Sequence, residues 1–191
     1  MNVFKTTLLA TALIAAFPLV AQAESQFVVG AGSAEAKLDF RVTIPRILFL
    51  RVGSGGTTVD TIAFAPTAAN LGLGAVAGTG GDLTGGVVTA EVRGNNGDVT
   101  LTSTTLGPLS NGAGDSISYS EISATSSNAA LQSPTLIDAA NGTTTVAATN
   151  KLVNESAQWT FSYANSAVVA PGTYGGSVAN NGRVTYTASM P

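Results

Sequence analysis

The sequence predicts an all-β protein, an antiparallel β-sandwich that follows an N-terminal extension. Three observations predict it. Short segments alternate apolar and polar residues. Clusters of Gly, Asn, Asp and Pro separate these segments, as expected of turns. Helical periodicity is nearly absent, because its two candidates, "PTAANLGLGAV" and "SSNAALQS", are short and contain Gly, Ser or Pro. Roughly nine to eleven strands are expected.

The first segment, residues 1–23, has the pattern of a secretory signal peptide. Lys5 gives it a basic start, an apolar stretch follows, and Ala21-Gln22-Ala23 fits the A-x-A cleavage pattern. A retained membrane anchor is the alternative, but the apolar stretch is short for a membrane span. No later segment is apolar enough to cross a bilayer as a helix. We therefore expect a bacterial protein that is secreted or displayed on the cell surface, with no transmembrane segment after cleavage.

The composition excludes several functions. The chain has no Cys and no His, so Ser-His-Asp, Cys-His and zinc sites are absent. Its acidic residues are spread singly, mostly in predicted turns, and no calcium-binding loop is present. The net charge of −3 disfavours nucleic acid, which requires a basic face. We therefore expect no enzyme activity, no catalytic residues, no cofactor and no functional metal.

The stretch "AEAKLDFRVTIPRILFLRVG" joins two different patterns at Pro45. Before Pro45, apolar residues alternate with polar ones, which predicts a strand with a single apolar face. After it, residues 46–52 are apolar on both sides, which predicts a strand covered on both faces. We expect an N-terminal arm over residues 24–35 and a β-sandwich domain over residues 36–191.

Further strands follow along the chain, separated by turns. "GNNGD", residues 94–98, predicts a hairpin between the strands at 88–93 and 99–103, because Asn-Gly supplies the positive φ of a tight turn. The other predicted strands lie at 59–64, 117–119, 159–163 and 183–188, and the other turns lie at 111–115, 141–142, 170–174 and 180–182.

An aromatic strand separates two hypotheses about function. Trp159, Phe161 and Tyr163 alternate with polar residues, which is typical of a core face. An exposed Trp159 beside Tyr163 would instead favour the alternative function, a monomeric secreted β-sandwich that binds a glycan or a cell surface.

The N-terminal region allows two interpretations. Residues 36–44 either form the first strand of their own sheet, or part of residues 24–44 completes the sheet of a neighbouring subunit by β-strand addition. We favour residues 27–31 as the mobile inserted segment, with 36–44 as its extension or as the first strand of the host domain. The candidate interface residues are Phe27, Val29, Ala31, Leu38, Phe40, Val42 and Ile44.

The ending "PGTYGGSVANNGRVTYTASMP" is similar to the last hairpin of many fimbrial subunits, in which a Pro-Gly turn leads into a Thr/Val/Tyr strand. Together with the export signal, the alternating N-terminal segment and the cysteine-free Thr/Gly/Ala-rich composition, the chain resembles a donor-strand-assembled pilin or a biofilm-matrix fibre subunit. The resemblance implies an immunoglobulin-like, pilin-like sandwich that polymerises head to tail with itself in a fimbrium serving adhesion or biofilm formation. It also implies a secretion or assembly factor as a partner. Pilins assembled by chaperone and usher usually carry a cysteine pair, which this chain lacks, so the assembly route stays open.

Overall fold

The computed structural model describes residues 26–167 and 169–191. The predicted signal peptide, residues 1–23, lies outside the described residues. The chain divides into two units, with the boundary between Ile44 and Pro45. The predicted sandwich domain began at residue 36, whereas the C-terminal compact unit spans Pro45–Pro191.

The described part of the N-terminal unit, residues 26–44, contains no strand, and its side chains are exposed. Residues 30–32 form a bend, and Gly30 has a positive φ of 102°. The backbone N–H of Glu35 donates a hydrogen bond to Oε1 of Gln26 over 3.1 Å. Residues 26–35 therefore form a local loop, whereas residues 36–44 have no turn or bend.

The C-terminal unit is built from short strands and one 3₁₀ turn, Tyr119–Glu121. The described residues contain no α-helix, and none of their helical segments has the length and apolarity of a membrane span. The strands are β1 Leu48–Val52, β2 Ile62–Ala63, β3 Val76–Ala77, β4 Thr79–Gly80, β5 Val87–Gly94, β6 Val99–Thr104, β7 Leu109–Ser110, β8 Ser116–Ile117, β9 Ile122–Ser126, β10 Asn141–Val146, β11 Val153–Tyr163 and β12 Thr185–Ser189.

Two main sheets organise these strands. The larger has the order β1-β5-β11-β3, and β9 pairs with β11 in addition. The second has the order β10-β6-β12. Two small sheets, β2-β4 and β7-β8, complete the unit, and every strand pair is antiparallel. The predicted all-β class is therefore confirmed.

The core lies between the facing sides of the two main sheets. Trp159 of β11 is fully buried, and its ring packs against Tyr186 of β12 with centroids 5.5 Å apart. Its indole Nε1–H donates a hydrogen bond to the Leu131 carbonyl over 2.9 Å, so the polar atom of this large apolar group is satisfied. Trp159, Phe161 and Tyr163 are all buried, as the core interpretation predicted. The remaining core residues are Val88, Ala90, Val92, Val99, Leu101, Tyr119, Leu131, Leu136, Val146, Val153 and Ala157.

The hairpin predicted at "GNNGD" is wrong. β5 pairs with β1 and β11 in the larger sheet, while β6 pairs with β10 and β12 in the second sheet. Residues 95–98 therefore carry the chain from one sheet to the other. The Asn-Gly sequence permits the reversal, and Gly97 has the positive φ expected, at 103°. β6 cannot pair with β5 because both edges of β5 are occupied by β1 and β11. The turn sequence does not specify these distant partners.

Two other predicted turns have different outcomes. Residues 111–115 connect the paired strands β7 and β8, as the turn prediction required. Asn141 and Gly142 instead begin β10. A Cβ at Gly142 would lie 1.7 Å from the Thr135 carbonyl oxygen, so this glycine allows two backbones to approach closely.

The apolar segment after Pro45 forms β1, but it is not covered on both faces as predicted. Leu50 and Val52 are partly buried and pack against the core. Leu48 and Phe49 are exposed. Phe49 lies on the face opposite Leu50 and Val52, where the Arg93 guanidinium is 5.7 Å from its ring centroid. β1 is also an edge strand, and β5 is its only strand partner among the described residues.

Candidate assembly site

The large apolar residues predicted at the interface are all exposed. Phe27, Val29, Leu38, Phe40, Val42 and Ile44 have between 74% and 90% of their surface accessible. Ala31 is exposed as well. The Phe27–Ala31 window contains the bend at residues 30–32, whereas the window from residue 36 to 44 does not. The second window is therefore the better candidate for an extended strand.

We call the second window's apolar residues the exposed stripe: Ala36, Leu38, Phe40, Val42 and Ile44. Polar residues lie between them, namely Lys37, Asp39, Arg41 and Thr43. In an extended strand this spacing places all apolar side chains on one face. Full burial of a Leu, Phe, Val or Ile side chain contributes about 1.5–3 kcal/mol. Burial of the exposed stripe against an apolar surface would therefore be strongly favourable.

The chain enters the compact unit through a hydrogen-bonded clamp at residues 45–47. Asn95 donates from Nδ2 to the Pro45 carbonyl over 2.8 Å, and its Oδ1 accepts from the Ile47 N–H over 2.8 Å. Arg46 donates from Nη2 to the Met190 carbonyl over 2.7 Å and to the Pro191 carbonyl. The entry point is thus fixed both to the residue after β5 and to the residues after β12.

The edge of β1 that faces away from β5 has no strand partner among the described residues. The Gly53 N–H donates to the Thr89 carbonyl over 2.7 Å, which extends the β1–β5 ladder and sets its alternation. In an antiparallel ladder only every second residue bonds to a given neighbour. The N–H and C=O groups of Leu50 and Val52 therefore point away from β5, toward the unpaired edge.

β12 likewise pairs on one side only, with β6, in the part of the chain that the structure describes. β1 and β12 approach each other across the sandwich without pairing. Leu48 and Met190 both lie against Gly94, where an added Cβ would be 3.6 and 3.4 Å from their nearest atoms. Val52 and Val184 line one groove farther along these strands, so β1 and β12 run in opposite directions. We call the gap between their unpaired edges the open seam.

A shallow groove of about 340 Å³ lies in the open seam. Its lining is mostly apolar and consists of Leu50, Val52, Val59, Arg183, Val184, Thr185 and Tyr186. Four of these side chains pack against the buried core, namely Leu50, Val52, Val184 and Tyr186. Ala188 and Met190 also pack against it, farther along β12. The seam therefore exposes the side of the core between two unpaired strand edges.

A second groove, of about 520 Å³, lies between β9 and residues 133–138. Its walls are more polar and include Ser118, Ser120, Ser123 and Ser133. The segment that forms its far wall already uses its backbone, because the Thr135 and Ile137 carbonyls accept hydrogen bonds from the hydroxyls of Ser103 and Thr105. This groove therefore offers fewer free backbone groups on that wall.

Several titratable groups of the compact unit have pKa values that are shifted by their surroundings. Burial raises the pKa of Tyr186 to about 12, and burial together with the nearby Asp138 carboxylate raises that of Tyr119 to about 12. Hydrogen bonds from the Ser54 hydroxyl and backbone N–H lower the pKa of Asp60. Within the described ranges, no three carboxylates are grouped to hold a metal ion. These shifts have structural causes, namely burial and loop hydrogen bonds.

The sequence identified the exposed stripe but not the open seam. β1 was recognisable as a strand, and so was β12. Their unpaired edges were not recognisable, since a strand's own residues do not specify which neighbours it has. Searches against protein-family models, curated proteins and solved structures find no match to this chain.

Proposed function

We propose that the protein is a structural subunit of an extracellular filament, a pilus or a biofilm-matrix fibre, in which the N-terminal arm of one subunit completes the next. The observation that supports this most is the exposed stripe. It holds the largest alternating apolar residues outside the compact unit, and they are accessible. A contiguous exposed apolar patch of this kind marks an interaction surface.

Strand donation by an arm produces open polymers. The arm and the surface that binds it are different parts of the chain. Each subunit therefore has one donor segment and one acceptor surface. A contact of this heterologous type repeats without closing unless the rotation between subunits forms a ring. Backbone hydrogen bonds then supply affinity, and alternate side-chain pockets fix the register.

A structural role outside the cell agrees with the composition. Proteins secreted without disulfides obtain their stability from the core or from association. Here the core is formed by the two packed sheets. The alternative, a monomer that binds glycan through an aromatic face, loses its main support because Trp159 is fully buried.

The test uses the purified secreted chain, residues 24–191, examined by negative-stain electron microscopy and size-exclusion chromatography. We expect filaments from the unmodified chain. The double substitution Phe40→Asp and Val42→Asp places charges on the apolar face, so we expect monomers with unchanged circular dichroism. The matched control, Arg41→Asp with Thr43→Asp, adds the same two carboxylates on the polar face and should still form filaments.

Two results would contradict the proposal. One is an unmodified chain that stays monomeric at millimolar concentration. The other is a Phe40→Asp and Val42→Asp variant that polymerises as well as its control.

A further inference from the structure

We propose that the outward face of the second sheet binds the surface of ice. Nine polar side chains occupy this face in three rows of three, and we call them the hydroxyl grid. The rows follow from the registers of β10 and β12 against β6, and they are Asn141–Thr104–Thr185, Thr143–Thr102–Thr187 and Thr145–Thr100–Ser189. Eight of the nine side chains carry a hydroxyl. This inference does not depend on filament formation, because the hydroxyl grid and the exposed stripe share no residue.

The first argument is that the grid hydroxyls are accessible and largely unused. Along β6, Thr100 and Thr102 alternate with the buried Val99 and Leu101, so the threonines face away from the core. In the described part of the chain, the side-chain hydrogen bond within the grid is the one from the Thr104 hydroxyl to its neighbour in β10, over 2.8 Å. The other hydroxyls can therefore bond to a ligand, and each offers one donor and two acceptor sites.

The second argument is that the hydroxyl grid is uncharged. The outward face of the larger sheet differs, because Arg51 and Arg93 there both approach the Glu91 carboxylate. Charged groups hold water strongly, and removing that water is costly unless an opposite charge replaces it. The hydroxyl grid has no such cost, so it suits a neutral ligand. Ice is neutral, and a hydroxyl can donate to and accept from its surface waters.

The third argument is geometric. Neighbouring strands lie about 4.8 Å apart, and residues two positions apart on an antiparallel strand are separated by about 6.8 Å. In ice every water is hydrogen-bonded tetrahedrally. With O–H···O distances of about 2.75 Å, the oxygens repeat about every 4.5 Å in the basal plane and about every 7.3 Å along the perpendicular axis. The two lattices therefore differ by about 0.5 Å or less per repeat.

The fourth argument concerns the centre of the hydroxyl grid. Sheet twist rotates neighbouring strands by about 20–25°, which tilts the corners of the grid away from a flat surface. The match is therefore best along the central strand and the central row, where all five positions are threonine: Thr100, Thr102, Thr104, Thr143 and Thr187. Threonine is β-branched and restricted at χ1, so its hydroxyl loses little side-chain entropy on binding.

A crystalline polysaccharide is the other neutral, repeating surface to consider. Sugars are usually bound against exposed aromatic rings, and the hydroxyl grid contains no aromatic residue. Tyr186 of β12 faces the core, where its ring packs against Trp159. The hydroxyl grid therefore suits ice better than a polysaccharide.

The test measures incorporation of the purified secreted chain, residues 24–191, into slowly growing ice. We expect the unmodified chain to be enriched in the ice fraction. Thr102→Lys places a charge at the centre of the hydroxyl grid and should abolish the enrichment. The matched control, Thr160→Lys, makes the same change at an exposed threonine of β11, which also has strands on both sides. This control should be enriched as the unmodified chain is.

A second pair of variants repeats the comparison on edge strands, where an added lysine is tolerated more easily. Thr187→Lys alters the hydroxyl grid on β12, and Thr125→Lys is its control on β9. Circular dichroism and the urea midpoint of each variant establish that it is folded. We expect Thr187→Lys to lose enrichment in ice and Thr125→Lys to keep it.

Exclusion of the unmodified chain from ice overturns the inference, and so does equal behaviour of the grid variants and their controls. A parallel measurement uses microcrystalline cellulose. If the chain is excluded from ice but binds cellulose, and only the grid variants lose that binding, the hydroxyl grid binds a polysaccharide and the ice assignment is wrong. The filament proposal is tested separately, by the substitutions at Phe40 and Val42, and none of these results contradicts it.

Discussion

β11 and the exposed stripe have the same sequence pattern and opposite environments. Along β11, buried and accessible residues alternate from Val153 to Tyr163, and the apolar face lies against the second sheet. Residues 36–44 alternate in the same way, yet all of them are accessible. β11 pairs with three strands, β3, β5 and β9. No described strand pairs with the stripe.

The difference shows that alternation specifies a face and leaves its partner unspecified. A face of Val, Ile, Leu and Phe is favourable to bury wherever cover is available. The apolar face of β11 is buried by other segments of the same chain. For the stripe, we propose that the burying surface comes from another copy. Substitutions on the β11 face should therefore change the stability of the subunit, whereas those on the stripe should change its assembly.

The largest expected effect is on the β11 face. Trp159→Ala removes a fully buried side chain between the two sheets and should lower the free energy of unfolding by about 3–5 kcal/mol. Phe40→Ala should leave it unchanged within about 0.5 kcal/mol, because Phe40 is exposed in the free subunit. Both values come from urea unfolding below the concentration at which filaments form. A large loss from Phe40→Ala would show that the stripe packs against its own domain.

An intermediate effect concerns the side of the core nearest the seam. Tyr186 lines the open seam and contacts Trp159, and burial raises its pKa to about 12 from an ordinary value of 10. Below pH 10 the folded and unfolded states both hold the phenol proton, so its contribution to stability is complete. Between pH 10 and 12 the folded state binds more protons, so stability falls as pH rises.

The measurement is the urea midpoint of the subunit at pH 8, 10 and 11. We expect a fall above pH 10, and a smaller fall in Tyr186→Phe, which lacks the titrating group. Tyr119, whose pKa is also raised to about 12, should account for part of the remaining fall. Identical pH dependence in the Tyr186→Phe variant would mean that this end of the core is open to solvent, as the exposed stripe is.

The same contrast explains which features of the fold could be predicted from the sequence. The fold class and the core role of Trp159 followed from local alternation, because both depend on which face a residue occupies. The "GNNGD" hairpin failed because β5 obtains its neighbours from residues 48–52 and 153–160, far along the chain. The open seam was missed for a related reason. An unpaired edge is a property of the whole sheet order, and β1 looks like an interior strand by composition alone.

The smallest expected effect separates the two windows of the arm. Phe27→Asp with Val29→Asp adds two charges to the window that contains the bend, whereas the corresponding change at Phe40 and Val42 alters the stripe. Since the bend at residues 30–32 and the Gln26–Glu35 hydrogen bond close residues 26–35 into a loop, we expect filaments from Phe27→Asp with Val29→Asp at the concentrations that suffice for the unmodified chain. The critical concentration, measured by sedimentation, should change less than about threefold, which corresponds to about 0.7 kcal/mol. Loss of filaments in this variant alone would transfer donation to residues 27–31. Residues 36–44 would then be a linker between two subunits. Their apolar face would have to be buried by a different surface.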